Sequence, residues 1–138
     1  MSHEIIQPKT VHGTTGYSHA VRAGNTLYIS GQVALDKENK LVGQGDIAAQ
    51  AAQVFANLKA VVEAAGGSVH DVVKLTTYTT SLAYRPAIAQ ERFKVWQSDW
   101  PASTFIVVAS LAAREYLVEI EAIAEFAPSA ARPVEGGS

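Results

Sequence analysis

The ten residues from Leu117 to Phe126, LVEIEAIAEF, alternate almost without interruption. Successive side chains of a strand leave on opposite faces. Val118, Ile120, Ala122, Ala124 and Phe126 therefore share one face, and Leu117, Glu119, Glu121, Ile123 and Glu125 share the other. The apolar face needs a cover from elsewhere in the chain. The three carboxylates behind it are either a wet surface or contain a group that does chemistry.

The cover is legible upstream. Asp46 stands at a helix N-cap position, and Ile47, Ala51, Val54, Leu58, Val61 and Ala65 recur at helical spacing until Gly66-Gly67 permits a stop. One apolar stripe of that kind should lie on a sheet. Ile5 and Ile6 suggest a short strand. His19 to Arg22 and Thr26 to Val33 flank Ala23-Gly24-Asn25, a hairpin signal. In the second of these strands Leu27, Ile29 and Val33 should face one way, and Thr26, Tyr28, Ser30 and Gln32 the other. Val72 to Thr80 is rich in β-branched residues and reads as a strand. Pro86 opens a second helix with Ile88, Phe93, Val95 and Trp96 on its buried side, and Thr104 to Ala109 reads as a buried strand. The expected architecture is α+β, a mixed sheet with two helices on one face. The other face then needs a partner subunit, because a large apolar sheet face is not left in water. Residues 1–126 should form a single domain and 127–138 a flexible C-terminal tail.

Composition removes several function classes. The 138 residues include no cysteine, so thiol nucleophiles, disulfides and Cys-based zinc sites are absent. A net charge of -2 disfavours electrostatic binding of nucleic acid. No apolar run reaches the roughly 18–20 residues of a membrane span, and the start carries no export pattern, so a cytoplasmic protein is expected. The four histidines form neither an HExxH pair nor a cluster with acids, and no metal or other cofactor is expected. Gly43 to Ala48, GQGDIA, matches a loose dinucleotide fingerprint, but Asp46 at the helix start would repel a phosphate, and the stretch reads as a loop and a cap. Ser30 lies in ISGQ and not in a GxSxG elbow.

Several stretches taken together resemble the YjgF/RidA (reactive intermediate deaminase) family. They are Gly16-Tyr17, YISGQ at Tyr28 to Gln32, the helix segment with Asn57, Leu58 and Gly66, DVVK at Asp71 to Lys74, PAST at Pro101 to Thr104, and VEIEAIA at Val118 to Ala124. The resemblance runs from about Tyr17 to Phe126. It implies a chorismate-mutase-like fold and a homotrimer whose sheets face inward as a central barrel, with small-molecule pockets between subunits. It also implies hydrolysis of enamines or imines without a metal or cofactor.

Carried onto this chain, the family's catalytic glutamate and tyrosine fall on Glu119 and Tyr17. Ser30 and Gly31 of the ISGQ stretch, with His19 and Ser103, are the expected substrate contacts. The family's PARS is PAST here, so Ser103 stands where an arginine would grip a substrate carboxylate. A serine offers one neutral hydroxyl where arginine offers a charged planar fork, a difference on the order of 1.5–3 kcal/mol. The resemblance therefore implies an imine or enamine deaminase other than the standard 2-aminoacrylate type. A non-catalytic metabolite-binding trimer is the second reading. An endoribonuclease is the third, and the acidic balance argues against it. Glu119 is expected in the cleft, and Glu121 and Glu125 in structural or solvent contacts.

Overall fold

The computed structural model describes residues 3–128. The expected tail from 129 onward lies outside those residues. Six strands and two helices follow in the order β1 (His3–Ile6), β2 (Ala20–Ala23), β3 (Thr26–Gln32), α1 (Ile47–Ala64), β4 (Val72–Thr79), α2 (Arg85–Val95), β5 (Ala102–Val107) and β6 (Val118–Glu125). They form one sheet of order β1-β2-β3-β6-β4-β5. Only β4 and β5 pair in parallel. The last strand thus inserts antiparallel between β3 and β4, which α1 connects.

Local chemistry sets these elements. Gly24, with φ 62, supplies the left-handed first position of the two-residue β2–β3 turn. Asp46 caps α1 by accepting from the Ala49 N–H at 3.1 Å. The helix ends in a Schellman pair, Gly66 N–H to Glu63 O and Gly67 N–H to Val62 O, around Gly66 at φ 93. Pro86 sits in the first turn of α2, where its missing N–H costs nothing.

The core lies between the sheet and α1. Val54, Leu58, Val61 and Val62 of α1 pack with Leu27 and Ile29 of β3 and with Val118, Ile120, Ala122 and Ala124 of β6. α2 lies beside α1, with Ile88 buried and Trp96 edge-on to Phe55. The alternation of 117–126 is thus the alternation of β6.

Three expectations need correction. Gln32 does not share the outward face of Tyr28. A register shift between Ile29 and Gln32 turns it inward, where it is fully buried opposite Ile120. The strand read as buried at Thr104 to Ala109 is an exposed edge, Ala102–Val107, because no strand lies beyond it and only Phe105 packs against the core. Phe93 is largely exposed beside Trp100 and does not join the core.

Two polar side chains of α1 organise loops that sequence periodicity treats as incidental. Buried Asn57 donates to Val33 O and Leu35 O, both at 2.9 Å. Fully buried Gln50 donates to Gly43 O and Glu115 O and accepts from the Leu117 N–H. They tie the segment after β3 and the segment before β6 to the helix. Asn57→Ala orphans the buried Val33 carbonyl and the part-buried Leu35 carbonyl, so we expect a loss of about 2 kcal/mol in the free energy of unfolding by urea.

Candidate active site

A hollow of about 630 Å³ opens where the tip of β3 meets the start of β6. Its floor is Ser30 and Gly31 of β3 with Glu119 and Glu121 of β6. Its sides are the 12–17 segment, including His12 and Tyr17, and Tyr116. Tyr17, Ser30, Gly31 and Glu119, four of the six residues expected from sequence, are therefore brought together.

The register explains the grouping. Glu119 stands opposite Tyr78, and Glu121 opposite Thr76, on the face away from the helices. Beyond the register shift at Ser30-Gly31, a Cβ placed on Gly31 would come within 1.9 Å of Glu119 Oε2 and 2.7 Å of its Cδ. The carboxylate thus lies in the space a side chain at position 31 would fill. Burial raises the Glu119 pKa above the ordinary carboxylate value, and the neighbouring Glu121 charge adds to the shift. The Tyr17 hydroxyl is also pushed up, first by burial and then by Glu119 and Tyr116. Glu121, expected in structural or solvent contacts, lines the cleft. The Tyr78 hydroxyl is pushed up first by burial and then by the Glu121 and Glu119 charges. Glu125 is structural, accepting from Thr26 Oγ1 at 2.8 Å.

His19 does not line the cleft, contrary to its expected role as a substrate contact. It is fully buried, and both ring nitrogens are engaged. A carbonyl only accepts, so Nε2 carries the hydrogen and donates to His12 O at 2.7 Å, while Nδ1 accepts from Gln32 Nε2 at 3.1 Å. Burial lowers its pKa, in keeping with a neutral ring. The same Gln32 amide reaches Ser30 O at 3.1 Å. Ser30 donates through its hydroxyl to Ser18 O and through its N–H to His19 O. His19 and Gln32 thus hold the floor of the site from behind. Sequence reading missed Gln32 because the bulge inverts its side, and a polar residue inside an otherwise alternating strand is its only signal.

Ser103 also lies outside the cleft of one chain. It stands on β5 opposite Leu75, on the face opposite to that of Glu119. Among the described residues no group of acids and histidines could hold a metal ion. Among the same residues no helix is long and apolar enough to cross a membrane.

Comparison with known proteins gives a consistent result. Residues 8–126 match the model of the family described as Endoribonuclease L-PSP. The chain is 40% identical over 107 residues to a 2-iminobutanoate/2-iminopropanoate deaminase of Dermatophagoides farinae, covering 78% of this chain and 83% of that protein. It is 34% identical over 125 residues to the 3-aminoacrylate deaminase RutC of Acinetobacter baylyi, covering 90% and 98%. Among solved structures, RidA from an Antarctic Psychrobacter superposes with a TM-score of 0.83 at 38% identity, over 89% of this chain and 99% of that one. Escherichia coli TdcF with bound serine superposes with a TM-score of 0.82 at 31% identity, over 90% and 99%.

The raised Glu119 pKa has a definite sign. Between the unfolded and folded pKa the folded chain holds the proton that the unfolded chain has lost, so stability falls as pH rises through that window. We expect Glu119→Gln to unfold at a higher temperature than wild type at pH 7–8. The gain should vanish below the unfolded carboxylate value of about 4.3, as read by thermal melts across pH.

Proposed function

The chain belongs to the endoribonuclease L-PSP family, the YjgF/RidA proteins, and on that premise we propose that it hydrolyses an imine or enamine in the Tyr17–Glu119 cleft. The observation that carries the reading is the half-buried carboxylate of Glu119, seated against Gly31 with its pKa raised, facing the same hollow as Tyr17 and Ser30. A carboxylate whose pKa moves toward neutrality can take a proton from water and return it. In the proposed step Glu119 holds a water against the imine carbon. The water oxygen forms the C–O bond and its first proton passes through Glu119 to nitrogen, giving a carbinolamine; the second proton then leaves the new hydroxyl for nitrogen by the same carboxylate as the C–N bond breaks and the C=O bond forms. Imine and water become a carbonyl compound and ammonia, and no cofactor enters the balance. Tyr17 contributes a ring wall and a hydroxyl, and Ser30 an oxygen lone pair.

In this reading three copies close around their open sheet faces. That face carries Tyr28, Ile123, Tyr78 and Ile106 on four adjoining strands, with Tyr28 and Ile106 well exposed in the single chain. Edge strand β5 of one copy would border the cleft of the next, the only route by which Ser103 could reach a substrate. Without the family's arginine at position 103, the substrate is not a standard 2-aminoacrylate. Ribonuclease activity is disfavoured, because Glu119 and Glu121 on the floor would repel a phosphate.

The test is ammonia release from imines generated in place by an amine or amino-acid oxidase. Glu119→Gln should lower kcat by at least about 100-fold, within the usual range for a general acid–base group. Saturable ligand binding with no ammonia would instead support the metabolite-binding reading. Sedimentation should give three times the 14.7 kDa chain mass. An active monomer would remove the trimeric arrangement.

A further inference from the structure

The φ of Gly31 does not require a glycine. Gly24 and Gly66 have left-handed φ, and Gly31 does not. A side chain at position 31 would therefore meet no strain of that kind. What it would meet is Glu119. A Cβ there would overlap Oε2 and stand 2.7 Å from Cδ and 2.9 Å from Cγ, so the three nearest atoms all belong to one flexible carboxylate side chain. Gly43 is the contrast. Two of the three atoms nearest its Cβ position are backbone, Gln50 N and Asp46 O, so a side chain there would push on the fold itself.

The backbone beneath the carboxylate is fixed from behind. Between the pairs Ile29–Ala122 and Gln32–Ile120, Ser30 and Gly31 stand opposite the single residue Glu121. Ser30 is held at all three of its polar groups. Its N–H donates to His19 O at 2.8 Å, its hydroxyl donates to Ser18 O at 2.7 Å, and its carbonyl accepts from Gln32 Nε2 at 3.1 Å. Gln32 is itself fully buried and bonded to His19. Of the two partners that meet at position 31, the strand is anchored and the carboxylate is free to rotate.

We infer that Gly31 is the positioning residue of Glu119: the volume left open by its missing side chain is the seat that holds the carboxylate against the floor of the cleft. This deepens the deaminase reading and rests on it for the effect on turnover, though not for the seat itself. A methyl group at position 31 turns the carboxylate out into the hollow, where it is better solvated and no longer set at one point against the substrate. The loss then falls on the chemical step more than on binding.

Gly31→Ala in the full-length protein tests this by NMR titration of the Glu119 side-chain carboxyl carbon, by thermal melts and by ammonia release from generated imines. The Glu119 titration should move down from its wild-type position toward the ordinary carboxylate value of about 4.3. Any melting temperature lost in Gly31→Ala should be recovered in a Glu119→Ala background, which empties the seat. With an imine that wild type turns over, kcat should fall at least about tenfold while KM changes by less than about threefold. An unmoved Glu119 titration, the same loss of melting temperature in both backgrounds, or an unchanged kcat would each overturn the inference. A wild-type protein that releases no ammonia from any imine removes the deaminase reading alone. The titration and the paired melts then still decide for or against the seat.

Discussion

The structure depends on one strand held on both edges. β6 sits between β3 and β4, so its register is fixed twice, and a one-residue slip would exchange its faces. The same pairing that delivers Val118, Ile120, Ala122 and Ala124 to α1 delivers Glu119 and Glu121 to the opposite face. The carboxylates are therefore positioned by the packing of the core behind them. A loop would hold them less firmly, because its backbone is not bonded on both sides.

The register shift in β3 completes the arrangement. It brings Gln32 inside and sets Gly31 beneath the Glu119 carboxylate. Gln32 then links His19 to Ser30 O, and the helix side chains Asn57 and Gln50 fix the neighbouring loops. Floor and walls are each tied by side-chain hydrogen bonds to buried backbone, and such a network loses more from one missing partner than from a matched pair removed together. The polar residues buried in this half of the molecule are accounted for by that role.

What could be read from the sequence followed from periodicity and punctuation. The alternation of 117–126, the stripe of α1, its Asp46 cap and its Gly66-Gly67 stop all appear where their patterns place them. Three features did not follow. A bulge adds one residue to one strand and leaves no periodic mark of its own, so Gln32 was assigned to the wrong face. The residues of β5 are as apolar as those of a buried strand, and only pairing order shows that it is an edge. His19 looked available because it stands beside Tyr17 and Ser18, yet its ring turns inward to Gln32 and the His12 carbonyl. Tyr17, Ser30, Gly31 and Glu119 were identified through family resemblance. Alternation alone could not separate Glu119 from Glu121 and Glu125, whose different surroundings arise from strands far away in sequence.

The edge-to-face stack of His12 and His19, 4.7 Å between centroids, carries a cost in acid. Burial holds the His19 ring neutral, so the folded chain refuses a proton that the unfolded chain accepts below about pH 6.5. Stability is thus full above that value and declines as pH falls through the depressed folded pKa. The first part to loosen would be the 12–19 segment that frames the mouth of the hollow. Mild acidification would then blunt ligand capture while α1 and the central strands still stand.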